Sequence, residues 1–222
     1  MPPRTQVPLE PRKTPVQARS AASVEAILEA TIQVLLSAGK EKLTTTRVAL
    51  RAGVSVGTLY QYFPNKSALL KAILKRHMDE VARAVERVCR ERKGHSVSEM
   101  ATALIHAFLE AKMRNVKASV ALYSVSSDVD GAAVVKQTGI RINRAIVAML
   151  ATASKPLTKD PQLVATMLQA IMAGVGRKLL ESDSPEKEFH TLRDELIVFA
   201  SAYLAAASTS ARASSNPKRH VA

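Results

Sequence analysis

Apolar residues recur along this chain at the three- and four-residue spacing of amphipathic helices. A first helix over about Ala21–Ala38 carries Val24, Ile27, Leu28 and Leu35 as its stripe, and Gly39 closes it. Two short helices follow, Thr44 to Ala52 and Ser55 to Pro64, separated by a turn containing Gly53. A long helix opens near Asn65 and runs through Leu69, Leu70, Ile73, Leu74, Met78, Val81 and Val85 to Gly94, its later part Arg83–Lys93 strongly basic. The next begins at Ser96 or Ser98 and reaches Asn115, with Met100, Leu104 and Phe108 on one face, and a shorter piece covers Ala118–Ser126. A helix over about Ala132–Ala153 holds Val135, Ile142, Ile146, Met149 and Leu150, and its Gly139 marks a kink or close packing. After a loop bracketed by Pro156 and Pro161, the last two helices span about Gln162–Glu181 and Pro185–Ala207. The pattern predicts an all-α fold.

The ends lack this period. Residues 1–18 hold five of the ten prolines with Arg4, Arg12 and Lys13, the composition of a disordered basic arm, either a mere tail or a minor-groove or phosphate-contacting extension. A Ser/Thr/Ala tail occupies 208–222. The expected division is therefore arm 1–18, head 19–64, helical body 65–207 and tail 208–222.

Charge sharpens the picture. The net charge of +13 is uneven: residues 1–95 carry 17 Lys and Arg against 8 Asp and Glu, residues 96–222 carry 15 against 11. The surplus sits with the head, as attraction to phosphate requires, although a basic surface also suits RNA or a membrane. The single cysteine, Cys89, excludes an internal disulfide framework and fits a reducing cytoplasm; inside a helical pattern it reads as an inert half-buried thiol. No signal peptide is visible, and the longest uncharged runs, Pro161–Gly176 and Leu196–Ala211, fall short of the roughly 20 residues that span a bilayer. A cytoplasmic protein without a membrane partner is expected.

The stretch TTTRVALRAGVSVGTLYQYFPNK, from Thr44 to Lys66, organises the head. Thr44 can cap one short helix, Gly53 can take the left-handed conformation that ends it, Ser55 can cap the next and Pro64 stops it. Two short helices joined by a Gly-containing turn are the helix-turn-helix pattern. On the second, Leu59 and Phe63 share an inward face at i and i+4. Opposite lie Gly57, Thr58 and Gln61: a small residue, a hydroxyl, and an amide able to read adenine. Tyr60 and Tyr62 fall on the flanks, where phenol hydroxyls can reach phosphates, and Lys66 adds a charge at the next helix's first turn. The alternative is that these tyrosines pack on their neighbours and Lys66 is a solvated surface lysine.

The segment GVSVGTLYQYFPNKSALL resembles the signature of the TetR family of bacterial transcriptional regulators, and the wider match runs from about Arg19 to about Leu74. The resemblance implies an all-helical homodimer with a three-helix DNA-binding head and a helical-bundle ligand-binding and dimerisation body. It places DNA contacts on Thr45, Thr46, Arg47, Val56, Gly57, Thr58, Tyr60, Gln61, Tyr62 and Lys66. Arg47 stands where many members carry an acidic or neutral residue. A small-molecule pocket between the body helices is likewise implied, with Leu104, Phe108, Met113, Tyr123, Met149 and Met167 as candidate lining. The few charges in those segments suggest a largely apolar effector.

The last two helices are apolar nearly all round, so they must be covered on more than one side. Two copies packing there would form a symmetric four-helix interface through Met167, Ile171, Gly174, Val175, Ile197, Tyr203 and Leu204; alternatively both helices are central to the monomer's own core. Enzyme chemistry finds no constellation. Two SxxK matches, Ser37–Lys40 and Ser184–Lys187, lack companion motifs, there is no P-loop or GxGxxG, and the five histidines show no metal-ligand spacing. Of these, His106 lies near an apolar face. No catalytic residue, metal or cofactor is expected. The sequence reads as a DNA-binding regulator, in its simplest form a repressor released from a double-stranded operator by an effector; the alternative is a helical ligand-binding or adaptor protein whose basic head serves a non-DNA partner.

Overall fold

The computed structural model describes residues 14–126 and 131–208. Among them are nine helices and no strand: α1 (Thr14–Ala38), α2 (Thr45–Ala52), α3 (Val56–Tyr62), α4 (Lys66–Glu91), α5 (Val97–Met113), α6 (Val116–Val125), α7 (Gly131–Leu150), α8 (Pro161–Glu181) and α9 (Pro185–Ser208). The fold is all-α, and every expected helix is present, all but α1 within about three residues of its expected bounds. The largest departure is at the start. Residues 14–18, expected within a disordered arm, are the first turns of α1. Pro15 is tolerated there because a helix's leading amides need no intrahelical acceptor. The rest of that arm, and the tail beyond Ser208, lie outside the described residues.

The chain divides into two compact units that meet between Ile73 and Leu74, inside α4. The expected boundary was nine residues earlier, at the helix's start; Leu69, Leu70 and Ile73, two turns in, are buried and belong with the head. In the head, α1 packs on α2 and α2 on α3, with Ile27, Val34, Leu35, Leu43, Val48 and Leu59 buried.

In the body, α5 packs chiefly on α9, α7 on α8, and α8 on α9. Their shared core includes Leu104, Ile105, Leu109, Ile146, Met149, Val164, Leu168, Leu196 and Leu204. Ser96 caps α5 in a full capping box with Glu99. Gly139 marks close packing, not a kink: α7 continues through it, and the Gln169 amide of α8 donates to its carbonyl at 2.9 Å. Arg141 of α7 reaches Glu86 at 2.7 Å and Asp79 at 3.0 Å, tying α7 to the body part of α4. The Arg141 hydrogen bond holds the Glu86 carboxyl below the usual range. Cys89 is fully buried, beyond the half-burial expected, and burial pushes its thiol up to about 12, so it is inert.

Two helices exceed the length expected from the uncharged runs. Ser20–Ala38 and Pro161–Glu181, 19 and 21 residues, are long and apolar enough by length and composition. Each buries one face inside its own unit: Ile27, Thr31 and Val34 on the first, Val164, Leu168 and Met172 on the second. Helices of soluble cores pass the same test.

Candidate nucleic-acid interface and body cavity

The helix pair of the head forms by local capping. Thr44 accepts the Arg47 amide at 3.2 Å, and Ser55 accepts the Thr58 amide at 2.9 Å. Between them Gly53 sits at φ 67°, the left-handed region a side chain would resist, and its amide closes on Ala49 and Leu50. Leu59 is fully buried and Phe63 nearly so, which fixes α3 by one face. Gln61 therefore stands in solvent, with Gly57 and Val56 exposed at the helix start.

The remaining candidates are partly engaged. The Tyr60 hydroxyl lies 3.1 Å from that of Thr45, so α2 and α3 present the two side chains as a pair on an exposed surface. Thr58 bonds the Ser55 hydroxyl at 2.8 Å. Tyr62 is half-buried and donates to Ser20 of α1 at 3.1 Å. Arg47 donates to the Lys42 carbonyl at 3.0 Å, and Thr46 is exposed. The Lys66 ammonium donates to the Lys40 carbonyl at 2.6 Å, so it is half-buried and held beside the head instead of swinging in solvent. One exposed residue was not singled out: Leu50 of α2, 82% accessible, with Arg51 beside it bonded to Gln33 at 2.7 Å.

The body holds a cavity of about 390 Å³ between α4, α5, α6, α7 and α8, a size typical of small-molecule sites. Tyr123 alone of the six expected pocket residues lines it. Leu104, Phe108 and Met149 are buried in the core instead, because long apolar side chains at helical spacing pack against one another. Met113 borders a separate shallow depression near Phe189, and Met167 is exposed. The cavity wall is built from Leu74, Met78, Leu122, Val135, Ala170 and Leu180, and its polar groups are His77, Lys112, Ser119, Ser126, Tyr123 and Arg177.

Those polar groups are arranged by hydrogen bonding. The buried Ser119 donates its one proton to the Lys112 carbonyl at 2.6 Å, so the 3.2 Å contact with His77 Nε2 must be donated by the imidazole. Burial, with the Lys112 charge behind it, lowers the His77 pKa to about 4. His77 is thus neutral at physiological pH. His106, the histidine noted in the sequence, instead faces Glu110 at 3.7 Å on an open, charged groove.

Of the expected interface residues, Met167 and Gly174 are exposed; Ile171, Val175, Ile197 and Tyr203 are half-buried against the core. Leu204 points fully inward, so it cannot meet a second copy. Val198 and Phe199, 64% and 56% accessible, are the large apolar residues that α9 leaves open, with Leu163 on α8.

Comparison with known proteins places this architecture. Residues 27–73 match the bacterial regulatory proteins of the tetR family, and residues 96–204 match the tetracyclin repressor-like C-terminal domain. The chain belongs to the TetR family. It is 41% identical over 61 residues to the HTH-type transcriptional repressor KstR of Mycolicibacterium smegmatis, covering 28% of this chain and 30% of that protein. The nucleoid occlusion factor SlmA of Haemophilus ducreyi is 32% identical over 90 residues, 40% of this chain and 44% of that protein. The chain thus spans under half the length of these curated relatives. Among solved structures, a transcriptional regulator from Rhodococcus sp. RHA1 aligns with a TM-score of 0.64 at 22% identity, covering 84% of this chain and 98% of that one. The multidrug-binding protein EbrR aligns with a TM-score of 0.56 at 21% identity, covering 78% and 91%. At these identities the likeness speaks for the TetR fold. The family is one of bacterial regulatory proteins.

Proposed function

We propose that this protein is a homodimeric, sequence-specific transcriptional repressor of the bacterial cytoplasm, released from its operator by a small molecule bound in the body. The observation that carries the reading is α3. A helix too short to build a core is pinned by Leu59 and Phe63 and leaves Gln61 open to solvent. That is the arrangement a groove-reading helix needs, with one face anchored and the other free to meet base edges. Tyr60 and Thr45, already paired, offer hydroxyls to one phosphate wall, and Arg47 and Lys66 supply charge. Two such heads would address half-sites about 34–36 Å apart, or a multiple of that spacing. Repression is the simpler sign because it needs only occupancy of a promoter, and KstR carries the repressor function in its name.

The dimer reading rests on α8 and α9. Leu163, Met167, Val198 and Phe199 are exposed on consecutive helices, an apolar surface that a second copy would cover. The effector reading rests on the cavity, and α4 carries Leu74, His77 and Met78 into its lining. A ligand that prefers one arrangement of this helix would shift the population away from the DNA-bound form.

The test is a mobility-shift titration with genomic fragments selected by the purified protein. Gln61→Ala is expected to relax base preference, costing on the order of 1–3 kcal/mol at one operator position. An unchanged preference would remove Gln61 from readout, and no salt-sensitive binding to any fragment would remove the regulator reading.

A further inference from the structure

Lys112 sits in the α5 stripe one turn beyond Phe108, where an apolar residue would be expected. Its stem is packed, not extended into solvent. A methyl group placed on Gly176 of α8 would come within 3.3 Å of Lys112 Cδ and of the Phe108 ring. The absence of a side chain at Gly176 therefore makes the slot through which the lysine passes. Beyond that slot the ammonium reaches the cavity, with the Phe108 ring 5.7 Å below it.

This ammonium makes no hydrogen bond or ion pair among the described residues. No Asp or Glu among the described residues lines the cavity. Glu181, one turn past Arg177 on α8, is engaged by the Tyr123 hydroxyl at 2.8 Å and is not part of the wall. His77 is neutral and donates to Ser119, so it offers the lysine no countercharge. Burial accordingly disfavours the charged form of Lys112 and lowers its pKa. A charge already withdrawn from water gains more from a partner than a solvated one does, because the desolvation is already borne by the fold. A neutral apolar ligand would leave it unmatched.

We infer that the body cavity is built for an amphipathic monocarboxylate, with its carboxylate on Lys112 and its hydrocarbon part against Leu122, Val135 and the Ala170–Ala173 face of α8. Arg177 supplies positive potential at the same site. The inference rests on the effector reading of the cavity and specifies its ligand class.

The probes are decanoate, decanol and decylamine, which share one chain and differ in head group, titrated into the full-length protein by calorimetry. Decanoate is expected to bind at least tenfold more tightly than decanol, with decylamine weakest. Lys112→Met should reduce decanoate binding to the level of decanol and leave decanol unchanged. Lys112→Arg should retain most of the preference, and circular dichroism melts identify any variant that fails to fold. Ala170→Trp fills the cavity and should abolish binding of both. If decanoate and decanol bind alike and Ala170→Trp removes both, the cavity reading stands and the carboxylate inference is overturned. If neither binds the wild-type protein, the cavity reading falls and takes the inference with it. A decanoate preference that survives Lys112→Met overturns the assignment to Lys112.

Discussion

His77 makes stability depend on pH in a range where few other groups titrate. In the unfolded chain its pKa is about 6.5, in the body about 4. The native state therefore resists a proton that the unfolded state accepts. The contribution is fully present above pH 6.5 and is lost as pH falls toward 4, because the unfolded state then binds more protons. Between about pH 7.5 and 5 the loss is about 2 kcal/mol, and water at the cavity mouth would reduce it toward about 1. Carboxylates such as Glu86 act in the same direction, but their window opens only near and below the ordinary carboxylate pKa. The control is His77→Gln, whose amide can still donate to Ser119 and has no proton to gain. Urea unfolding followed by helical circular dichroism at both pH values gives the comparison. Wild type should lose more stability than the variant by about that amount, and the His77 ring resonances should stay those of a neutral imidazole down to about pH 5. Equal losses in the two proteins, or a ring titrating near its unfolded value, would refute the account of burial and the Lys112 charge holding His77 neutral.

Two further outcomes bear on the proposed function. Lys66→Gln removes a charge while keeping an N–H that can reach toward the Lys40 carbonyl; it should weaken binding to all DNA sequences and lower the salt slope by about one unit. An unaltered slope would leave Lys66 as a structural hydrogen-bond donor only. Val198→Asp combined with Phe199→Asp places two charges on the open face of α9 and should yield monomers by light scattering with the helical signal intact; a double variant that stays dimeric would place the interface elsewhere. Charges at Ile171 or Ile197 are the poorer test, because both also pack against the core and would disturb folding itself.

The nine helices of the described residues were readable because caps and breakers are local. Thr44, Ser55 and Ser96 each do their work within three residues, and Gly39, Gly53 and Gly94 each take the positive φ that sequence position alone suggests. The inward face of α3 was equally plain, since Leu59 and Phe63 at i and i+4 decide it. What sequence could not show was which apolar positions surround empty space. Leu104, Phe108 and Met149 carry the same periodic signal whether they fill a core or line a cavity, and only the packing of α5 against α8 and α9 decides that they fill it. Likewise α9 reads as apolar all round, yet Leu204 turns inward while Val198 and Phe199 turn out, a choice set by the neighbours it packs on.

One signal in the chain pointed at the cavity and concerned a break in pattern. The α5 stripe runs Leu104, Phe108, then Lys112, and the α4 stripe runs Ile73, Leu74, then His77. A titratable residue in register with an apolar stripe must be buried with a partner, neutralised, or placed on a void. The body uses the last two: His77 is kept neutral by burial with its N–H on Ser119, and Lys112 is delivered past Gly176 into the cavity. Both choices depend on a glycine and a serine from other helices, far away in sequence. The interruption was visible along the chain, but its resolution required the packed body.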